Sequence, residues 1–180
     1  VSDATVPTVL ATARLRLRPF RADDLALLHT LYGDARVMAI RKIGPQDRDG
    51  SARQLAGIVA AWRMHGYGLW AVFDRSDGAF LGECGLRHRA EDDAVELAYG
   101  LVPDAWGRGL ATEAAAAVLA FAFARLSVPR VVAVARADNA ASHNVMRKLG
   151  MRLVARRPRP EDGGVVEYAV EADAWRRHSR

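Results

Sequence analysis

From Val95 to Val102 the chain alternates: Val95, Leu97, Tyr99 and Leu101 fall on one face, and Glu96, Ala98, Gly100 and Val102 on the other. A period of two is that of a strand. Pro103 ends the run, and a loop holding Gly107, Arg108 and Gly109 follows. Leu110 to Leu126 is then apolar nearly all round, with Thr112, Glu113 and Arg125 the main exceptions, which predicts a helix buried against a sheet. Pro129 closes it, and Val131 to Ala135 reads as a strand buried on both faces. Strand, crossover helix and strand in that order imply a right-handed parallel connection.

Upstream, Arg14 to Arg18 alternates Arg with Leu and reads as a half-buried strand with its arginines on a solvated face, ended by Pro19. Asp23 or Asp24 can cap a helix carrying Leu25, Leu28 and Leu31. A second helix starts near Asp47 and runs through Leu55, Ile58, Val59 and Trp62 to His65, with Gly66 as its left-handed stop. Tyr67 to Phe73 and Ala79 to Arg87 flank the turn Arg75-Ser76-Asp77-Gly78, and Ala90 to Asp93 turns the chain into the Val95 strand, giving an antiparallel meander. Downstream, Asp138 can cap a helix ending at Leu149, with Gly150 behind it. Met151 to Ala155 and Val165 to Val170 form a closing hairpin around Glu161-Asp162-Gly163-Gly164, and Tyr168 and Trp175 are core positions. The whole predicts an α/β fold: one domain with a mixed, mostly antiparallel twisted sheet flanked by helices on both faces. It spans residues 12–176, between a lead of residues 1–11 expected to be mobile and a basic tail, 177–180, expected with Arg176 to fray.

Composition narrows the classes. A chain of 180 residues, 51% hydrophobic, is long enough for one well-buried core. The formal charge of +5 gathers at Arg152 to Arg159 and Arg176 to Arg180 and is interspersed elsewhere, so nucleic acid is not expected as the main ligand. An anionic small molecule accounts for the charge as well. Cys84 is the only cysteine, which excludes an intrachain disulfide and four-cysteine zinc patterns, makes reducing cytoplasm the default and leaves Cys84 as a core residue. No stretch has the pattern of a signal peptide or a membrane span, so no membrane partner is expected. No His/Asp/Glu cluster has ligand spacing, so no metal is expected either.

Three features carry candidate chemistry. The glycine loop precedes a helix start, where unpaired N–H groups and the positive end of the helix dipole favour an anion. Gly107 and Gly109 would let a diphosphate approach the backbone, and Arg108 could add a charged hydrogen bond. Neither GxxxxGK[ST] nor GxGxxG is matched, so from residues alone an anion cradle and a plain helix start both stand. Asn139, Ser142, Val145, Met146 and Leu149 share one helix stripe, which puts two polar side chains on an apolar face in need of partners. A cap for Asn139 and a bond back to the helix for Ser142 are the plain alternatives. Third, Glu96 stands among the small residues Ala98 and Gly100, where a ligand would find room beside a proton acceptor; Glu83 on the neighbouring strand is its rival, and His65, His88 and His143 are weaker.

These segments resemble a family. WGRGLATEA is similar to the acyl-CoA-binding segment of the GCN5-related N-acetyltransferases, patterned Q/R-x-x-G-x-G/A, whose last two fixed positions fall on Gly109 and Ala111. Trp106 departs from the first position and resembles instead the RimJ/RimL-like branch, where a Trp-Gly pair is common. TARLRLRPF, GYGLWAV, FLGECGL, NAASHNVMRKLGM and VEYAVEADAW continue the resemblance in the family's order. It implies direct acyl transfer from acetyl-CoA to a primary amine of a protein N-terminus or a small molecule, with strand N–H groups holding the developing oxyanion. The first two helices and the loop from Gly33 to Gly50 would border the acceptor. Cofactor contacts are expected from Leu101, Val102, Gly107, Arg108, Gly109, Leu110, Ala111, Thr112, Asn139, Ser142 and Asn144. Glu96 is the expected base, needed because an amine at neutral pH is mostly protonated. The family's usual acid, a Tyr, falls on Met146, which has no proton to give, so Ser142 is the expected substitute. The missing Tyr also keeps a non-catalytic acyl-CoA-binding module as the alternative. A homodimer is the candidate assembly.

Overall fold

The computed structural model describes residues 9–41, 43–159 and 163–178. Eight strands form one sheet: β1 (Leu10–Ala11), β2 (Leu15–Pro19), β3 (Leu69–Asp74), β4 (Phe80–Arg89), β5 (Ala94–Leu101), β6 (Arg130–Arg136), β7 (Arg152–Arg157) and β8 (Val165–Glu171), in the order β1-β2-β3-β4-β5-β6-β8-β7. All neighbours are antiparallel except β5 and β6. The helices are α1 (Leu25–Tyr32), α2 (Ala35–Met38), α3 (Arg48–His65), α4 (Leu110–Phe121), α5 (Ala140–Lys148) and α6 (Ala172–His178). Among the described residues no helix is long and apolar enough to cross a membrane.

The strand alternation sorts the two layers. Leu97 and Leu101 of β5 join Leu15, Leu17, Trp70 and Leu86 in a core under α4, α5 and α6, which contribute Ala114, Val118, Met146, Leu149 and Trp175. On the other face Leu69 and Ala71 join Leu28, Leu31, Val37, Leu55 and Ile58 of α1, α2 and α3 in a second core, with Ala98 and Val102 against it. Asp47 caps α3 by accepting from Gly50 N–H, and Gly66 stops it at φ 72°. Cys84 is fully buried, as a core residue.

Local readings are corrected in several places. Asp24 stands at the N-cap of α1 but gives its carboxylate to Arg18 at 2.5 and 2.8 Å, so Arg18 is paired and half-buried beside it rather than solvated. Arg14 is paired too, with Glu113 of α4 at 2.7 Å. Asn139, not Asp138, caps α5; Asp138 is held by Arg136. The long apolar helix changes to a π-helical turn at Ala122–Leu126. Leu10 and Ala11 of the expected lead are strand, and Arg176 and Arg177 are helical; the rest of the lead up to Thr8, Glu161, Asp162 and the final two residues lie outside the described residues.

The feature that positions the site is the seam between β5 and β6. They run parallel but register at one pair only, Glu96 with Val132. Beyond it toward Leu101 the strands part, and their facing backbone groups form no further ladder pair.

Candidate active site

A cleft of about 390 Å³ opens where β5 and β6 part. Its walls are Leu97, Ala98 and Tyr99 of β5 and Ala133 to Arg136 of β6, and Glu96, Asn139 and Ser142 border it. From the α1 to α3 layer come Tyr32, Ile40, Arg41, Ile43 and Gln54, with Arg87 from β4.

Glu96 is 22% exposed and lies directly across the ladder from Arg87. Arg89 Nη1 is 3.8 Å from its carboxylate. Burial raises its pKa, the two arginines pull against that, and the balance stays above the ordinary glutamate value. A carboxylate shifted that way is a better proton acceptor near neutral pH.

Glu83 is placed otherwise. Its side chain is fully buried, with Arg41 Nη2 at 2.7 Å, the Tyr32 hydroxyl donating at 3.0 and 3.2 Å, and Arg87 at 3.7 Å. Burial raises the Tyr32 pKa, so the phenol keeps the proton it donates. Glu83 is held by two donors and lines neither cleft. The same arrangement corrects the expected room beside Gly100, since Arg41 occupies it: a Cβ on Gly100 would lie 2.2 Å from an Arg41 nitrogen. Glycine at this position lets Arg41 reach Glu83.

Ser142 Oγ is engaged by Tyr99 rather than by a carbonyl of its own helix. Its Oγ lies 2.8 Å from the Tyr99 hydroxyl, which also donates to the Ser142 carbonyl at 3.2 Å. Burial pushes the Tyr99 phenol up to about 12, against the opposing bond to Ser142. Tyr99 is the residue that the pattern missed, because its strand face reads as core; the available signal was that a buried tyrosine hydroxyl needs a partner. Asn139 accepts from Ser142 N–H at 3.1 Å, so it is a cap and also borders the cleft. Met146 does not reach the cleft. It is fully buried in the larger core.

Past the carboxyl end of β5, a 3-10 turn (Pro103–Ala105) leads to the glycine loop. Trp106 Nε1 donates to the Leu101 carbonyl at 2.7 Å and ties the loop to the strand. Gly107 and Gly109 have φ of 72° and 76°, which favour glycine, and no atom lies within 4 Å of a Cβ built on Gly107. The first-turn N–H groups of Leu110, Ala111 and Thr112 have no carbonyl four residues back inside the helix. Open space above Gly107, an Arg14 guanidinium nitrogen 3.8 Å from where a Cβ on Gly109 would lie, and a helix start's N–H donors fit a phosphate-bearing co-substrate. The Arg108 guanidinium lies 3.9 Å from Asp74, on the loop's flank.

The matched family is described as an acetyltransferase (GNAT) domain, and its model covers residues 14–152. The chain belongs to the GNAT acetyltransferase family. It is an N-acetyltransferase, and the non-catalytic binding module is set aside. Among relatives, it is 33% identical over 147 residues to the uncharacterized protein YkkB of Bacillus subtilis, covering 80% of this chain and 85% of that one. An acetyltransferase structure from Agrobacterium tumefaciens superposes with a TM-score of 0.79 at 28% identity, over 92% of this chain and 95% of its own. The fold is also that of RimL, a ribosomal L7/L12 alpha-N-protein acetyltransferase solved in complex with coenzyme A, with a TM-score of 0.80 at 20% identity over 92% and 99% of the two chains.

In this acetyltransferase the expected site residues fall in different places. Glu96, Asn139 and Ser142 share the cleft, and Gly107 to Thr112 form the loop and first turn beyond it. Leu101 and Val102 lie outside the cleft lining: the Leu101 carbonyl accepts from Trp106, and Val102 pairs through its N–H with Leu81 and its carbonyl with Ala105. Asn144 is exposed on α5, accepts from Arg147 at 2.7 Å and does not line the cleft. Of the three candidate histidines, His65 and His88 stack at 4.8 Å beside a second cleft, and His143 Nε2 lies 3.0 Å from the Arg136 carbonyl. Among the described residues no group of three metal-ligating side chains gathers.

Proposed function

We propose that the enzyme transfers an acyl group, acetyl first, from acyl-CoA directly to a primary amine of a small molecule or a protein N-terminus, in the manner of the RimJ/RimL-like branch. One observation carries the reading: the parted seam of β5 and β6 holds Glu96 at one side and the Tyr99–Ser142 pair at the other, with the glycine loop beyond its end. The diphosphate rests on the loop and first turn from Gly107 to Thr112. Backbone groups that β5 leaves unpaired along the seam hold the amides of the pantetheine arm and the developing oxyanion. Glu96 takes the proton that the amine must lose. The Ser142 and Tyr99 hydroxyls face the departing sulfur and supply hydrogen bonds to it. Since an ordinary thiol has a pKa of about 8.5, the sulfur needs less help than the amine, and the base matters more than the acid.

The test is release of free CoA thiol from acetyl-CoA in the presence of amines. Glu96→Gln is expected to lower kcat by roughly 10²–10⁴ with CoA binding intact. A loss below about threefold would remove Glu96 from the role. Gly109→Asp places negative charge at the phosphate cradle, in a backbone region that Asp tolerates better than most, and CoA affinity by calorimetry is expected to fall more than about tenfold. Unchanged affinity in a folded variant would move the phosphates elsewhere.

A further inference from the structure

A second cleft, of about 450 Å³, lies between α3 and the strands β3 and β4. Its charged and titratable lining is Tyr32, Arg53, His65, Arg87 and His88, with no carboxylate among its described lining residues. The floor is small or apolar where Gly57, Ala61 and Gly68 line it. Tyr32, Gln54 and Arg87 line this cleft and the first one alike, so the two are arms of one groove.

The charges of the arm do not cancel. Arg87 lies 3.7 Å from Glu83, which already holds Arg41 at 2.7 Å, and it stands across the ladder from Glu96; both acids lie outside the arm's lining, where Arg53 and Arg87 meet no carboxylate. Arg53 takes part in none of the ion pairs among the described residues. Asp93 stands 3.7 Å from His88 Nδ1, but it is 94% exposed and lies outside the lining, so water screens it. What remains is an arm with excess positive charge, joined to the arm that holds Glu96.

We propose that this second arm is an anion subsite of the acceptor: the substrate is a small amine whose far end carries a carboxylate or a phosphate. This rests on the acyltransferase reading, which puts the amine at Glu96. Guanidinium groups suit either anion through paired, charge-assisted hydrogen bonds. The same charges repel a second ammonium, so diamines and polyamines are excluded by like charge rather than by size.

The test compares matched acceptors: an ω-amino acid with its amide, an aminoalkyl phosphate with its amino alcohol, and a diamine. The acid of each pair is expected to exceed its neutral partner at least tenfold in kcat/KM, chiefly through KM, with the diamine poorest. Arg53→Gln is expected to cut that preference about threefold or more, Arg53→Lys to restore part of it, and the Arg53→Gln, Arg87→Gln double variant to abolish it. Arg53 is exposed on α3, so its variants test the subsite even where the double variant fails to fold. Calorimetry of acid against amide on the CoA-loaded enzyme reads the subsite without turnover. Tighter binding of the acids with no CoA released by any amine would support the subsite and sink the transferase reading. Equal binding and equal kcat/KM of acids, amides and diamines would overturn the subsite while leaving the transferase intact.

Discussion

At neutral pH the Tyr99 phenol keeps its proton, because burial pushes it up to about 12, and the 2.8 Å contact with Ser142 makes the two hydroxyls one unit. Ser142→Ala and Tyr99→Phe are each expected to lower kcat about tenfold, close to the 1–3 kcal/mol of a lost buried hydrogen bond. Combined, they should cost little more than either alone, since groups acting as a unit are not additive; a hundredfold loss in single-turnover kinetics would show independent roles. Met146→Tyr will not restore the loss. Met146 is fully buried in the core, so the larger ring is expected to overpack it and cost about 1–3 kcal/mol in denaturant unfolding. Glu96 also sets a pH signature. Its pKa is raised, and a base works only when deprotonated, so kcat/KM should rise with pH through an inflection above the usual glutamate value of about 4.3. That inflection should vanish in Glu96→Gln.

At the scale of elements, the anion site depends on a strand remote in sequence. Glu113 in the first turn of α4 accepts from Thr12 Oγ1 at 2.5 Å, Arg14 N–H at 2.9 Å and Arg14 Nε at 2.7 Å, and Arg14 Nη1 donates to the Arg108 carbonyl at 3.1 Å. The segment before β2 therefore fastens both the helix start and the glycine loop. Burial would raise the Glu113 pKa, but the bonds from Thr12 and Arg14 outweigh it and hold the group below the usual value. A depressed carboxylate stabilises the fold fully above its unfolded pKa, about 4.3, and the contribution is lost as pH falls through the folded value. Glu113→Gln is thus expected to cost about 1–3 kcal/mol at pH 7 and to weaken CoA binding, with the stability gap to the parent closing below about pH 4. A gap that stayed constant with pH in urea titrations would assign the loss to packing instead.

Across the whole molecule, Glu83, Arg41 and Tyr32 join the α1 to α3 layer to the sheet beside the groove. Removing one partner leaves the others buried without an answering charge, which costs about 3–5 kcal/mol. For a chain of this size, Glu83→Ala should lower the melting temperature by roughly 10 °C, with activity at low temperature falling far less than in Glu96→Gln. An undiminished melting temperature with a collapse in kcat would instead make Glu83 catalytic.

The sequence by itself determined the layers and the family. A period of two in β5, an apolar helix and a second buried strand define local choices of face, and each residue needs only its neighbours to make them. It also singled out Glu96 and Ser142, which border the cleft, through a carboxylate among small residues and a hydroxyl on an apolar stripe. Only the tertiary structure decided which carboxylate borders the cleft and which is enclosed, since the Arg41 side chain that pairs with Glu83 comes from a loop and sits in the space Gly100 vacates. It likewise decided the partner of Ser142, which α5 meets on β5, and the depth of Met146, which depends on how α5 packs against α4 and β6. The parting of β5 from β6 after a single pair is a matter of backbone direction, and side-chain periodicity carries no record of direction. A strand pattern states which face is buried; the angle at which two strands meet is set by everything packed against them.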